Sequence, residues 1–232
     1  VVLISCLISM VILRKEKTLG LNGSLQTSFG YPLSSSASGN INLRTDKFNI
    51  FNTTGVRYRD APGNAFFENR FLSPNVVNPL VIEDRDYFRQ DQGFNTNLGI
   101  EYFLTDKTSI TASAFFRLGN DEDETVNNTR EFNANNELAV RRVRTEFETE
   151  EDKSYQFSLN YITKFNDEGH ELTADLQYEN DKEEETSLID ERNVFPDPEM
   201  LPSEFITTDE VQNEYLAQVD YVRPIGKNAQ FE

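Results

Sequence analysis

Three runs of carboxylates are the residues of this chain best equipped for chemistry: Asp121-Glu122-Asp123-Glu124, Glu146 to Asp152, and Asp181 to Glu185. Oxygen ligands at this density suit a divalent cation or a cationic ligand at an outer rim. They are equally what a solvated acidic surface looks like. A calcium loop is not among them, because Asp121 to Glu124 alternates acids without the glycine and distal glutamate that such a loop needs. Two carboxylates can hydrolyse a glycosidic bond, yet with 40 Asp and Glu nothing singles out one pair. His170 is the sole histidine and Cys6 the sole cysteine, which excludes an internal disulfide and gives no cluster for zinc. His170 reads as a polar residue flanking a turn. There is no glycine-rich phosphate loop and no nucleophile elbow. Asn52-Thr53-Thr54 and Asn127-Asn128-Thr129 match glycosylation acceptors, a short pattern that arises by chance. These residues predict a non-enzymatic protein with no catalytic residues, metal or cofactor, and they do not identify a ligand-binding set.

Charge narrows the partners. A formal net charge of −18 argues against nucleic acid, whose phosphates need a basic surface. It also argues against a peripheral protein held by anionic lipid. Hydrophobic residues make up only 37% of the chain, but aromatics reach 12%, too many for a disordered chain. Ordered strands with little apolar content fit a wall one residue thick, apolar on one face only.

The elements that must position the acids follow from four polar turns spaced by about 60 residues: Thr45-Asp46-Lys47, Thr105-Asp106-Lys107, Asn166-Asp167-Glu168-Gly169 and Ile225-Gly226-Lys227-Asn228. Asp and Asn bond their own backbone, and Gly169 and Gly226 supply positive φ. Asp46, Asp106, Asp167, Gly169 and Gly226 therefore mark tight hairpin turns. Between the turns lie long polar stretches at about 60–89, 119–152 and 182–210, expected to be loops. They hold the acidic runs and Pro62, Pro74, Pro79, Pro196, Pro198 and Pro202. Strands are expected at 19–30, 37–45, 48–59, 90–104, 108–118, 153–165, 170–181 and 211–224. Most are long enough for the about 9–11 tilted residues that cross a bilayer.

Alternation assigns the faces. Leu98, Ile100 and Tyr102 oppose Asn97, Gly99 and Glu101; Ile110 and Phe116 oppose Thr111, Ser113 and Arg117. Phe157, Leu159 and Tyr161 oppose Gln156, Ser158 and Asn160; Leu172, Leu176 and Tyr178 oppose Thr173, Asp175 and Glu179; Val219 and Tyr221 oppose Gln218 and Asp220. The first member of each pair of sets is expected to face lipid. Tyr102, Phe103, Tyr155, Tyr161, Phe165, Tyr178 and Tyr221 suit interfacial girdles. The fold class is thus all-β, an antiparallel up-and-down meander forming about 8 strands of a larger transmembrane outer-membrane barrel over residues 19–232. The alternative is a secreted or surface β-sandwich used for binding or adhesion, which would mix short and long connections at both ends. Residues 1–18 form an apolar lead-in too short for a transmembrane helix, expected to be either a first strand or a junction.

The stretch Val11-Ile12-Leu13-Arg14-Lys15-Glu16 running into Gly20-Leu21-Asn22-Gly23-Ser24 resembles the passage from plug to barrel in a TonB-dependent receptor. Asn40 to Asn49, followed by Tyr58-Arg59-Asp60, resembles the early strands of outer-membrane β-barrel proteins common in Bacteroidetes. The resemblance implies a Gram-negative outer membrane, a receptor or transport role, and a parent barrel of about 22 strands. It further implies as partners outer-membrane lipid, the remainder of the barrel with its plug, and a periplasmic energy-coupling protein. The chain departs from the family in having no plug, no energy-coupling box and no barrel-closing strand. Phe231-Glu232 is expected to open a ninth strand, and a chain with exposed sheet edges is expected to aggregate without its missing half.

Overall fold

In a computed structural model, the structure describes residues 8–11, 20–73, 75–166, 169–225 and 229–231. Eight long strands carry the architecture: β2 (Gly20–Gly30), β3 (Ser34–Arg44), β4 (Phe48–Arg70), β5 (Leu80–Thr105), β6 (Thr108–Phe132), β7 (Leu138–Lys164), β8 (Glu171–Phe195) and β10 (Glu204–Ile225). Three short ones complete the order: β1 (Ile8–Val11), β9 (Glu199–Met200) and β11 (Ala229–Phe231). Every strand pairs antiparallel with its sequence neighbour, except that β10 pairs with β8 and β9 lies off the path beside β8. The result is one meandering sheet. A sandwich needs a second sheet packed on the first, and among the described residues there is none.

Among the described residues there is no globular core, and the only buried hydrophobic side chains are Leu80 and Ile189. Stability must instead come from the hydrogen-bond ladder and from cross-strand pairs on the two faces.

The turns at one end follow the expected spacing, with a change in chemistry. The Thr45 hydroxyl accepts hydrogen bonds from the Lys47 and Phe48 amides at 3.3 and 3.0 Å, and the Thr105 hydroxyl accepts from the Lys107 amide at 3.2 Å. The threonine before each aspartate thus closes the turn, as Ser and Thr hydroxyls can. In the third turn Asn166 Oδ1 accepts the His170 amide at 3.1 Å and Gly169 takes a φ of +89°. Asp167 and Gly226 lie outside the described residues. Ile225 pairs with Ala229 across the fourth turn, so three residues of the expected ninth strand are in the ladder.

The expected long loops are corrected. The stretches at 60–89, 119–152 and 182–210 are mostly strand, and the connections shrink to 71–79, 133–137 and 196–203, the last containing β9. β5 alone has 26 residues, which at about 3.4 Å per residue spans roughly 85 Å. The outer connection after β2 is shorter still, at residues 31–33. Asn133 builds the turn between β6 and β7. Its side-chain oxygen accepts the Asn135 and Glu137 amides at 2.9 and 3.0 Å, and Asn136 sits at φ +59°.

Pro62 is the other correction, because it sits inside β4 opposite Phe88. Pairing between β3 and β4 ends at Ser34 opposite Arg59. The Asp60 amide still bonds the Leu33 carbonyl at 2.7 Å, and Pro62, two residues on, would donate toward the same vacant side. Its missing N–H is therefore lost at a local edge, where proline is tolerated.

Candidate functional site

The register brings the expected apolar residues together. One row runs Leu21, Leu43, Ile50, Ile100, Ala112, Leu159, Leu176 and Ala217 across all eight long strands. Neighbouring rows on the same face hold Tyr102, Ile110, Tyr161 and Val219; Leu98, Phe157 and Tyr178; and Phe116. Leu172 and Tyr221 pair one row beyond. Rings pack across the strands, with Phe116 and Phe157 centroids at 5.8 Å and Tyr178 and Tyr215 at 4.9 Å. At the turn end Phe165, His170 and Tyr221 form a further cluster, and His170 Nε2 lies 2.8 Å from the Tyr221 hydroxyl. Phe103 stands apart from the other girdle candidates. It lies on the polar face, with the Arg44 guanidinium 5.0 Å from its ring.

The apolar belt runs obliquely. On β4 to β6 its last row is Val56, Phe94 and Leu118, and the same row continues on β7 and β8 as Lys153 and Lys182. The belt has already ended on those strands at Tyr155 and Tyr178. Strands tilted against a flat slab of hydrocarbon produce this offset.

The opposite face is mainly polar, although Phe51, Phe103 and Phe115 also lie on it. Within the belt it carries Asn97, Glu101, Thr111, Ser113, Ser158, Asn160 and Asp175, linked by bonds such as Ser113 to Ser158 at 2.6 Å and Asn160 to Asp175 at 2.6 Å. Gly99 lies under the Phe51 ring, where an added Cβ would stand 2.2 Å from the ring.

Above the belt this face becomes strongly charged, and the carboxylate runs seen in the sequence converge there. One row reads Arg59, Asp91, Asp121, Glu150, Glu185 and Thr208 from β4 to β10. The next reads Ala61, Arg89, Asp123, Glu148 and Ser187. Every second residue of each run contributes, while Glu122, Glu124 and Glu151 point to the other face. Arg57 holds Asp91 through two bonds of 2.7 and 3.1 Å, Arg89 reaches Asp123 at 3.2 Å, and Arg117 reaches Asp152 at 3.6 Å. Glu150, Asp152 and Glu183 bring one oxygen each within 4.8 Å of one another and are the residues that could hold a cation.

Like charges stand directly opposite one another at Asp121–Glu150, Glu150–Glu185 and Asp123–Glu148. Burial pushes the Asp121, Asp123, Glu148 and Glu150 carboxyls above their ordinary range. Neighbouring carboxylates add to the rise, with Asp91 beside Asp121, Glu185 beside Glu148 and Asp152 beside Glu150. Asp121 Oδ1 is enclosed and has no hydrogen-bond partner. Nearer the tip the charges are better matched. Asn78 and Arg142 bond Glu131 and hold its carboxyl below the ordinary range.

Sequence reasoning singled out the acids but not Arg57, Arg59 and Arg89, which complete the site. With 60–89 read as loop, no face could be assigned to Arg89, and Arg57 and Arg59 stood at the very end of the expected strand 48–59. The signal available was the alternation Arg57-Tyr58-Arg59, continuing the period of β4.

Residues 163–232, which take in the end of β7, β8, β10 and β11, match the model of an outer membrane protein beta-barrel family. No curated protein and no solved structure matches the chain. A meander with an oblique apolar belt, short turns at one end and a mainly polar opposite face is barrel wall. With the family match, these features identify the chain as all-β, of outer-membrane β-barrel type, and located in the outer membrane.

Proposed function

We propose that the chain forms part of the wall of an outer-membrane receptor or transporter. The observation that carries this reading is the polar face, continuous across eight strands and rising from the belt into a charged field on β4 to β8. A barrel that only anchored a protein in the membrane would gain nothing from unpaired charges along its interior. In this reading the apolar rows that hold Leu98 through Tyr221 contact outer-membrane lipid, the polar face lines an aqueous lumen, and the role is not enzymatic. The sequence resemblance adds a plug and a periplasmic energy-coupling protein as partners.

The test uses thiol labelling in intact outer membranes, with Cys6→Ser as background. Asn97→Cys and Ser158→Cys should react with a membrane-impermeant maleimide, and a bulky adduct there should slow uptake of small solutes. Leu98→Cys and Phe157→Cys should stay unlabelled. Labelling of both faces alike, or uptake indifferent to a bulky adduct at Asn97→Cys and Ser158→Cys, would refute the reading.

A further inference from the structure

The charged field borders a half-open cavity of about 250 Å³ on the polar face, lined on one side by Arg59 and on the other by Asp121, Glu148 and Glu150. Its charges do not cancel. Asp91 is occupied by Arg57, and Asp123 by Arg89. That leaves Arg59 exposed and, among the described residues, without a carboxylate within 4.0 Å; Asp121, Glu148 and Glu150 likewise lack a basic partner. No ion pair among the described residues joins Arg59 to these acids. Instead, opposite charges face each other across open space, held apart by the strands between them.

The separation sets a length. Arg59 stands on β4, Asp121 on β6 and Glu150 on β7, so at about 4.8 Å per strand their backbones lie roughly 10 and 14 Å apart. Side-chain reach shortens the gap, leaving room for two or three residues at about 3.3–3.6 Å each. Guanidinium pairs with carboxylate in a bidentate fork, and clustered carboxylates attract ammonium groups.

We infer that this cavity is a binding site for short basic peptides with free termini, Arg59 taking the terminal carboxylate and Asp121 and Glu150 the ammonium groups. The inference rests on the reading of the polar face as a lumen and names the ligand class of that face.

The test is calorimetric titration of the protein extracted from outer membranes in detergent, with Lys-Ala-Ala. Saturable binding is expected, weakened at least tenfold when the peptide is amidated at its carboxyl end or acetylated at its amines. Arg59→Gln should abolish the preference for the free acid over the amide and leave amine dependence intact. Glu150→Gln should weaken both forms together. A chain that binds spermidine or calcium as well as the peptide, or that binds the peptide equally with and without Arg59, would overturn the inference, as would no binding. Heat-modifiable mobility of every variant is recorded in parallel. A chain with folded-barrel mobility that does not bind sinks the inference alone, whereas loss of that mobility in the wild type sinks the reading of the polar face as well.

Discussion

Asp121 and Glu150 show what the charged field costs. Burial and neighbouring carboxylates raise both carboxyls. A carboxyl with a raised folded pKa keeps its proton where the unfolded chain, titrating near 4, has lost it. The folded state therefore binds more protons, and stability falls as pH rises from the unfolded value through the folded one. Arg57 offsets part of this at Asp121, while Asp91 and Asp152 add to it there and Asp152, Glu183 and Glu185 add to it at Glu150. Asp121→Asn and Glu150→Gln should each stabilise the fold by roughly 0.2–1 kcal/mol at pH 8 and by little at pH 4, measured by urea unfolding in detergent. Glu131, whose carboxyl is held low, works in the opposite sense and loses its contribution as pH falls. Gly99→Ala should cost about 1–3 kcal/mol by forcing the Phe51 ring aside. Combining it with Phe51→Ala should recover part of that loss, which a double-mutant cycle reads directly.

At the scale of the strand, alternation is informative only where the two faces meet different solvents. Residues 97–102 of β5 alternate cleanly, with Leu98, Ile100 and Tyr102 on one face. That contrast made the belt legible in the sequence. Beyond Gln92 both faces of β5 are wetted. Asp84 and Asp86 then cost no more on one face than Arg85 and Arg89 on the other, and the strand reads as loop. Acidic composition and Pro62 reinforced that reading, although proline is harmless at an edge. Asn133 to Asn136 carried a usable turn signal, masked by the assumption that the whole of 119–152 was loop. A charge should separate the faces by experiment. Leu98→Arg and Phe157→Arg should destabilise the membrane-inserted form by roughly 2–4 kcal/mol. Asn97→Arg and Ser158→Arg should be nearly neutral in the same refolding assay into lipid vesicles.

For the whole molecule, the long strands replace a fringe of flexible loops with a stiff collar standing beyond the bilayer. Ion pairs on that collar, such as Arg130 with Asp84, Arg142 with Glu131 and Arg89 with Asp123, brace it strand to strand. Protease added to intact cells should cut within 71–79, 133–137 and 196–203 and spare 80–92, 119–132 and 182–195. Cleavage spread through the latter stretches would show that the collar does not form. The collar is also uneven in height. The β2–β3 hairpin turns back at residues 31–33, while β4 continues beside it to Arg70 with one flank unpaired. This makes a notch in the rim, opening sideways, with Arg59 at its base. Solutes drifting along the membrane surface could enter the charged field through that gap without first climbing over the rim. Pro62, standing in the gap, removes a donor that a stray strand would need to close it.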